Sequence, residues 1–181
     1  MPLNPSLFRT SRGFTLIELL VVLAIIAILA VVSVPSFQAN LERRRVQGQA
    51  ELMLSKFYMA KSEALKSNAT VYFSIVPGAA GCYGFKKAVA CDCSATASSD
   101  NKCDLAQTAI GPTDGATLKS TTFLNSTGTI EPIRGAMTQG EAVWASPSGY
   151  ILKTQMSVTG RVTICSPAGG GNVSGYPTTN C

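Results

Sequence analysis

One stretch constrains everything that follows it. From Phe14 to Val34 the chain runs for 21 residues in which only Thr15, Glu18 and Ser33 are polar, and the run stops at Pro35. A helix of that length rises about 30 Å, the thickness of one bilayer core, so the segment can span a membrane. A short leader carrying Arg9 and Arg12 precedes it. An ordinary secretory signal places its small cleavage residues after the apolar run, whereas here Gly13 comes before it, so that cutting at Gly13 leaves the anchor on the protein. Glu18 is the exception inside the run. A carboxylate in a membrane helix costs about 2.5–3.5 kcal/mol on insertion scales, and such groups normally have a functional partner. Cleavage before Phe14 would supply one, a new α-amino group four residues from Glu18 on the same helix or on a neighbouring copy packed alongside. The bland alternative is a signal anchor with a stray acid.

The run Gly13-Phe14-Thr15-Leu16-Ile17-Glu18 followed by an apolar helix resembles the type III signal of the type IV pilin superfamily. The resemblance implies that a prepilin peptidase cuts between Gly13 and Phe14 and N-methylates Phe14. It further implies that Glu18 guides subunits into a helical filament and that Pro35 is the proline that kinks the pilin helix.

The remaining chain is organised for one head. Of 181 residues, about 147 lie from Pro35 onward, enough for a modest single core. The formal charge of +5 falls to +3 when Arg9 and Arg12 are removed. What remains is uneven, with six basic and three acidic residues between Glu42 and Lys66 against seven and six from Ser67 to Cys181. Arginines on both sides of the anchor, at 9 and 12 and at 43–45, leave the positive-inside rule undecided. The six cysteines, all after residue 80, suit an oxidising compartment and place the head outside the cytoplasm, with the leader inside.

After Pro35 a second helical pattern extends to about Lys66. Val46, Ala50, Met53, Phe57, Ala60 and Ala64 fall on one stripe that should pack on the head. Arg44, Arg45, Gln49, Lys56 and Ser62 lie on the other face, read as a solvated surface ahead of a nucleic-acid contact. Ser67-Asn68 can close the helix, because Asn tolerates the left-handed conformation. Beyond it the period changes from 3.6 to 2. Strands are expected at Thr70–Ile75, Cys82–Val89, Thr117–Leu124, Gly128–Ile133, Ala142–Ala145, Tyr150–Met156 and Arg161–Cys165, separated by Gly, Pro, Asn and Asp turns. Strands following one long helix predict an α+β fold with antiparallel sheet. The expected organisation is a leader over 1–13, a long helix over 14–66 whose first part, 14–34, is transmembrane, and a β-rich extracytoplasmic head over 67–181.

Ala60-Lys61-Ser62-Glu63-Ala64-Leu65, with Tyr83-Gly84-Phe85 beyond it, is similar to the GspH/FimT branch of the superfamily, which implies a head of two β-sheets. Lys61 stands where that branch more often carries arginine.

Cys91 and Cys93 flank Asp92, and Cys103 follows a polar loop. Their one-residue gap is not the spacing of a structural zinc knuckle and the chain has no histidine, so disulfides are expected and no metal or cofactor. Cys165 and Cys181 enclose a Gly/Pro/Ser/Thr segment with little apolar content, which points to a bridge between them. Closing such a loop can stabilise by about 3 kcal/mol in the chain-entropy picture. For the other four the easier solution is Cys82 with Cys91 and Cys93 with Cys103, since Cys91 and Cys93 on one side of a strand cannot readily join each other.

Without histidine there is no histidine-based triad or general base, and the acids are scattered, so an enzyme is not expected. The resemblance, closest in kind to FimU and FimT minor pilins, implies a minor pilin that primes assembly or sits at a pilus tip. Its partners would be prepilin peptidase, the major pilin and other minor pilins. It would cross the inner membrane once before assembly, N-terminus in the cytoplasm, and stand on the cell surface afterwards. Two alternatives stay open. One is a type II secretion pseudopilin, with the same anchor and fold. The other is DNA capture, which FimT-type pilins perform through a Gly-Arg-x-Arg motif. The corresponding stretch here is Gly160-Arg161-Val162-Thr163, without the second arginine, leaving Arg161 and Lys153 as a thin cationic site. A strand-edge surface charge is the bland reading of Arg161. If the processing reading is correct, mass spectrometry of the mature chain will find methylated Phe14 at its N-terminus; a chain beginning after residue 34 would refute it.

Overall fold

The computed structural model describes residues 13–96, 98–169 and 171–181. It divides into two units, one ending at Gln38 and one spanning Ala39–Cys181. Helix α1, Leu16–Ser67, contributes to both and carries Pro35 within it.

In the first unit every large apolar side chain described on α1 faces outward, from Leu16 at 77% exposed to Val31 at 77%. Among the described residues, none covers this surface. The helix is long and apolar enough to cross a membrane.

The second unit is built on the later half of α1. Val46, Ala50, Met53, Phe57, Ala60 and Ala64 are all fully buried, so the stripe expected from the spacing is the face that meets the head. The helix closes at Ser67, where the next residue, Asn68, takes a φ of 47° and Ser67 Oγ donates to the Glu63 carbonyl. Asparagine supports this left-handed turn at little cost.

Among the described residues eight strands follow: β1 (Val71–Val76), β2 (Cys82–Lys87), β3 (Ala106–Ala109), β4 (Thr117–Thr121), β5 (Thr127–Ile130), β6 (Gly140–Ala145), β7 (Ile151–Met156) and β8 (Val162–Cys165). They form two antiparallel sheets, ordered β3-β2-β1-β5 and β4-β6-β7-β8. The fold is thus the α+β arrangement of a long helix packed on antiparallel sheet. An additional strand, β3, occupies Ala-Gln-Thr-Ala, a sequence of weak strand propensity that takes its order from pairing with β2 rather than from its own composition. β4 and β5 are shorter than their sequence pattern, ending before a 3₁₀ turn at Leu124–Ser126 and before Pro132.

Aromatic rings join the layers. Phe57 of α1 meets Phe73 of β1 and Phe85 of β2 edge-on, with centroids 5.1 and 5.0 Å away. Tyr83 of β2 meets Trp144 of β6 in the same way at 6.2 Å, linking the first sheet to the second. Such pairs contribute about 0.5–1.5 kcal/mol each beyond the area they bury. Gly128 sits opposite Phe73 in register, and a Cβ there would fall 2.2 Å from the Phe73 ring, so the strand can lie under the ring only with glycine at that position.

The cysteines pair differently from the expectation at one end. Cys165 is bonded to Cys181, but Cys82 joins Cys93 and Cys91 joins Cys103, in place of Cys82 with Cys91 and Cys93 with Cys103. The cause is the loop's path: the Asp92 amide donates to the Asn101 carbonyl at 2.8 Å, and Asp92 bridges Lys102 in parallel, bringing the returning chain alongside. Cys91 then lies beside Cys103, with Cα atoms 5.1 Å apart, and Cys93 is left to reach the start of β2 at Cys82. Separate partners for Cys91 and Cys93 are retained, while the choice between partners is reversed. With all four sulfurs oxidised, none is a thiolate that could ligate zinc.

Phe57→Ala should destabilise the folded unit by about 3–5 kcal/mol, the range for emptying a buried phenylalanine site. Urea unfolding followed by the fluorescence of Trp144, which is fully buried, will measure it; a loss below 1 kcal/mol would mean the ring is not the centre of this core.

Candidate functional site

The first candidate is the start of α1. Gly13 and Phe14 precede the helix, and the Phe14 side chain is 81% exposed. Thr15 occupies the N-cap, its Oγ accepting the Glu18 amide at 3.3 Å and its carbonyl accepting the Leu19 amide. Thr15-Leu16-Ile17-Glu18 therefore has the spacing of a capping box, a signal present in the sequence that explains why the helix begins here. Glu18 stands in the first turn, where the helix dipole favours a negative charge. Because α1 begins at Leu16, Phe14 lies before the cap and does not sit one helical turn from Glu18 on a shared face. The leader residues Arg9 and Arg12 lie outside the described residues.

A second cluster lies where α1 enters the head. The Glu42 carboxylate accepts the Ser148 amide at 3.0 Å and the Ser148 hydroxyl at 2.9 Å. Arg43 places its guanidinium 4.6 Å above the Tyr150 ring and donates to the Tyr150 hydroxyl at 3.1 Å. Helix and β6–β7 hairpin are clasped together by two neighbouring side chains of opposite charge. The sequence shows only a short acidic-basic run at these positions, and nothing local identifies the hairpin as its partner.

Further along the helix, Lys61 donates to the Gly160 carbonyl at 3.0 Å. Gly160 has a φ of +77°, and a Cβ on it would lie 1.9 Å from the Gly135 carbonyl oxygen. The glycine before Arg161 is thus required by packing between two turns. Lys61 ties that crossing to α1.

The remaining sequence candidates, Arg161 and Lys153, do not form one cationic patch. Lys153 on β7 is paired with Glu141 on β6 at 3.2 Å, both being about three-quarters buried. Arg161 is exposed in the turn before β8, where its backbone, not its guanidinium, bonds Ser157. It borders a groove of about 600 Å³ on the second sheet, walled on one side by the tail that the Cys165–Cys181 bridge holds in place. That tail is also fixed by a bond from the Ser166 amide to the Pro177 carbonyl and by the Tyr176 hydroxyl on Glu51. Burial and the Glu51 carboxylate push the Tyr176 phenol well above its ordinary value, so it stays protonated as a donor.

Two family models match the chain. The prokaryotic N-terminal methylation motif covers residues 8–34, and the type II transport protein GspH covers residues 49–177. The first match contains the Gly13–Phe14 junction and Glu18, and the second contains most of the buried helix stripe and all eight strands. No curated protein and no solved structure matches.

Hydrogen bonds from Ser148, its backbone amide foremost, hold the Glu42 carboxyl below its ordinary value of 4.5. A carboxylate with a lowered folded pKa contributes stability above its unfolded pKa and loses it as pH falls through the folded value. The Ser148 amide resonance should therefore titrate with Glu42 as the pH falls, with a midpoint below 4.5. A midpoint at or above 4.5 would show that the clasp does not form in solution.

Proposed function

The chain belongs to the family of the type II transport protein GspH, and from that membership we propose that it is a minor pilin of a type IV pilus, entering the filament through α1 and presenting its head at or near the tip. Membership together with the methylation motif makes it a minor pilin or pseudopilin, processed by a prepilin peptidase and assembled with other pilins. This is a structural family. The observation that carries the filament reading is the outward apolar surface of α1 from Leu16 to Val31, interrupted by Glu18 alone among charged residues. Such a surface suits lipid before assembly and the packed helices of sister subunits afterwards. Glu18 would then be neutralised by the amine of the preceding subunit's Phe14, which sets axial register as the filament grows. The disulfides support a head outside the inner membrane with the leader inside, since such bonds form in an oxidising compartment.

A type II secretion pseudopilin is the second reading, favoured by the description of the family matched over 49–177. Three bridges among six cysteines support the pilus instead, since a head displayed at the cell surface meets harsher conditions than one confined to the periplasm. DNA uptake has weaker support, because Lys153 is already neutralised by Glu141.

The test uses Glu18→Val. The substitution removes an intramembrane charge, so the membrane-inserted pool should be unchanged or larger. A charge-assisted contact contributes about 1.5–3 kcal/mol, so the amount in sheared surface filaments should fall by about tenfold or more. Normal amounts in sheared filaments would refute the role of Glu18. Wild-type protein absent from surface filaments but required for protein secretion would replace the pilus reading with the pseudopilin one.

A further inference from the structure

The groove bordered by Arg161 lies on the side of the second sheet that faces away from α1. Inward positions of β6 and β7, such as Trp144 and Leu152, are fully buried, and the alternate residues Glu141, Lys153 and Gln155 form the opposite face. Gln155 and Thr163 line the groove from neighbouring strands, Gln139 lines it from the approach to β6, and Thr179 and Asn180 from the tail. Three of these five side chains are amides and two are hydroxyls. An amide offers both donors and acceptors, and a hydroxyl can do either, so each can complement an alcohol group in whichever sense it is presented.

Two charged residues border the same space, and they are not equivalent. Glu141 is neutralised by Lys153. Among the described residues the Arg161 guanidinium has no hydrogen bond and no ion pair, so it is the one uncompensated charge at the groove. A planar guanidinium recognises carboxylate by paired donation. The groove's volume, about 600 Å³, falls in the range of small-ligand sites.

We propose that this groove binds an acidic saccharide, with Arg161 taking a sugar carboxylate while Gln155, Thr163 and Asn180 take ring hydroxyls. A nucleic-acid strand fits the lining less well. Tracking a phosphodiester backbone requires several cations, and stacking its bases requires aromatic faces. The groove has a single free cation among the described residues and no aromatic residue in its lining. The tail wall depends on the Cys165–Cys181 bridge, so this pair of cysteines builds the site as well as closing the chain. The proposal is independent of whether the filament is a pilus or a pseudopilus.

Isothermal titration of the full-length chain in detergent micelles with trigalacturonate tests it, with maltotriose as the neutral counterpart and a short oligothymidylate as the phosphodiester. Trigalacturonate should bind, and Arg161→Gln should weaken it by about tenfold or more. Among the described residues the exposed Arg161 side chain makes no hydrogen bond or ion pair, so the melting temperature should not change. Gln155→Ala, which leaves the cation in place, should also weaken binding. Absence of trigalacturonate binding, equal binding of maltotriose, or indifference to Arg161→Gln would each overturn the proposal. Tighter, Arg161-dependent binding of oligothymidylate would do so as well, by assigning the groove to nucleic acid.

Discussion

Burial of one helix stripe is the constraint on which the head depends. The later half of α1 turns Val46, Ala50, Met53, Phe57, Ala60 and Ala64 to the head, and all six are fully enclosed. Phe57 is at its centre, edge-on to two rings of the first sheet, and Phe73 in turn meets Phe123 at 5.1 Å. The small residues Ala50, Ala60 and Ala64 let the helix approach closely, while Met53 and Phe57 fill the space between.

Polar contacts then fix how the strands meet that helix. Each is made by a side chain at the border of the stripe: Glu42 and Arg43 on the β6–β7 hairpin, Tyr58 on the Val162 carbonyl, Lys61 on the Gly160 carbonyl, and Glu63 on Lys87 of β2. The exposed Glu63–Lys87 pair adds little stability by itself. Ties to backbone carbonyls are more selective, because they depend on where a turn places its peptide groups. The glycines at 135 and 160 make that placement available by letting two turns touch.

The first unit works by the opposite rule. Its apolar side chains remain outward, a state that is stable only when lipid or other helices surround them. An anchor designed for two surroundings cannot be specified by contacts within its own chain, and this explains why it stands as a separate unit from the head. Glu18, in the first turn of α1, stands where the helix dipole favours a negative charge.

The features legible in the sequence are those set by spacing along the chain. A 3.6-residue period identified the buried stripe, a run of 21 residues marked the outward apolar part of α1, and alternation located seven of the eight strands, because each pattern reflects a local geometry and one apolar surface. The cysteine-flanked, apolar-poor tail pointed to Cys165–Cys181 for a similar reason. Tertiary structure decided the rest. β3 exists because β2 offers an unpaired edge, and the partners of Cys91 and Cys93 follow from the hydrogen bond that the Asp92 amide donates to the Asn101 carbonyl. Lys153 and Arg161, equivalent cations in the sequence, differ because β6 places Glu141 beside only one of them. These outcomes depend on which distant segments share a neighbourhood. Local period constrains which way a side chain faces, but only the packed chain determines what it meets there.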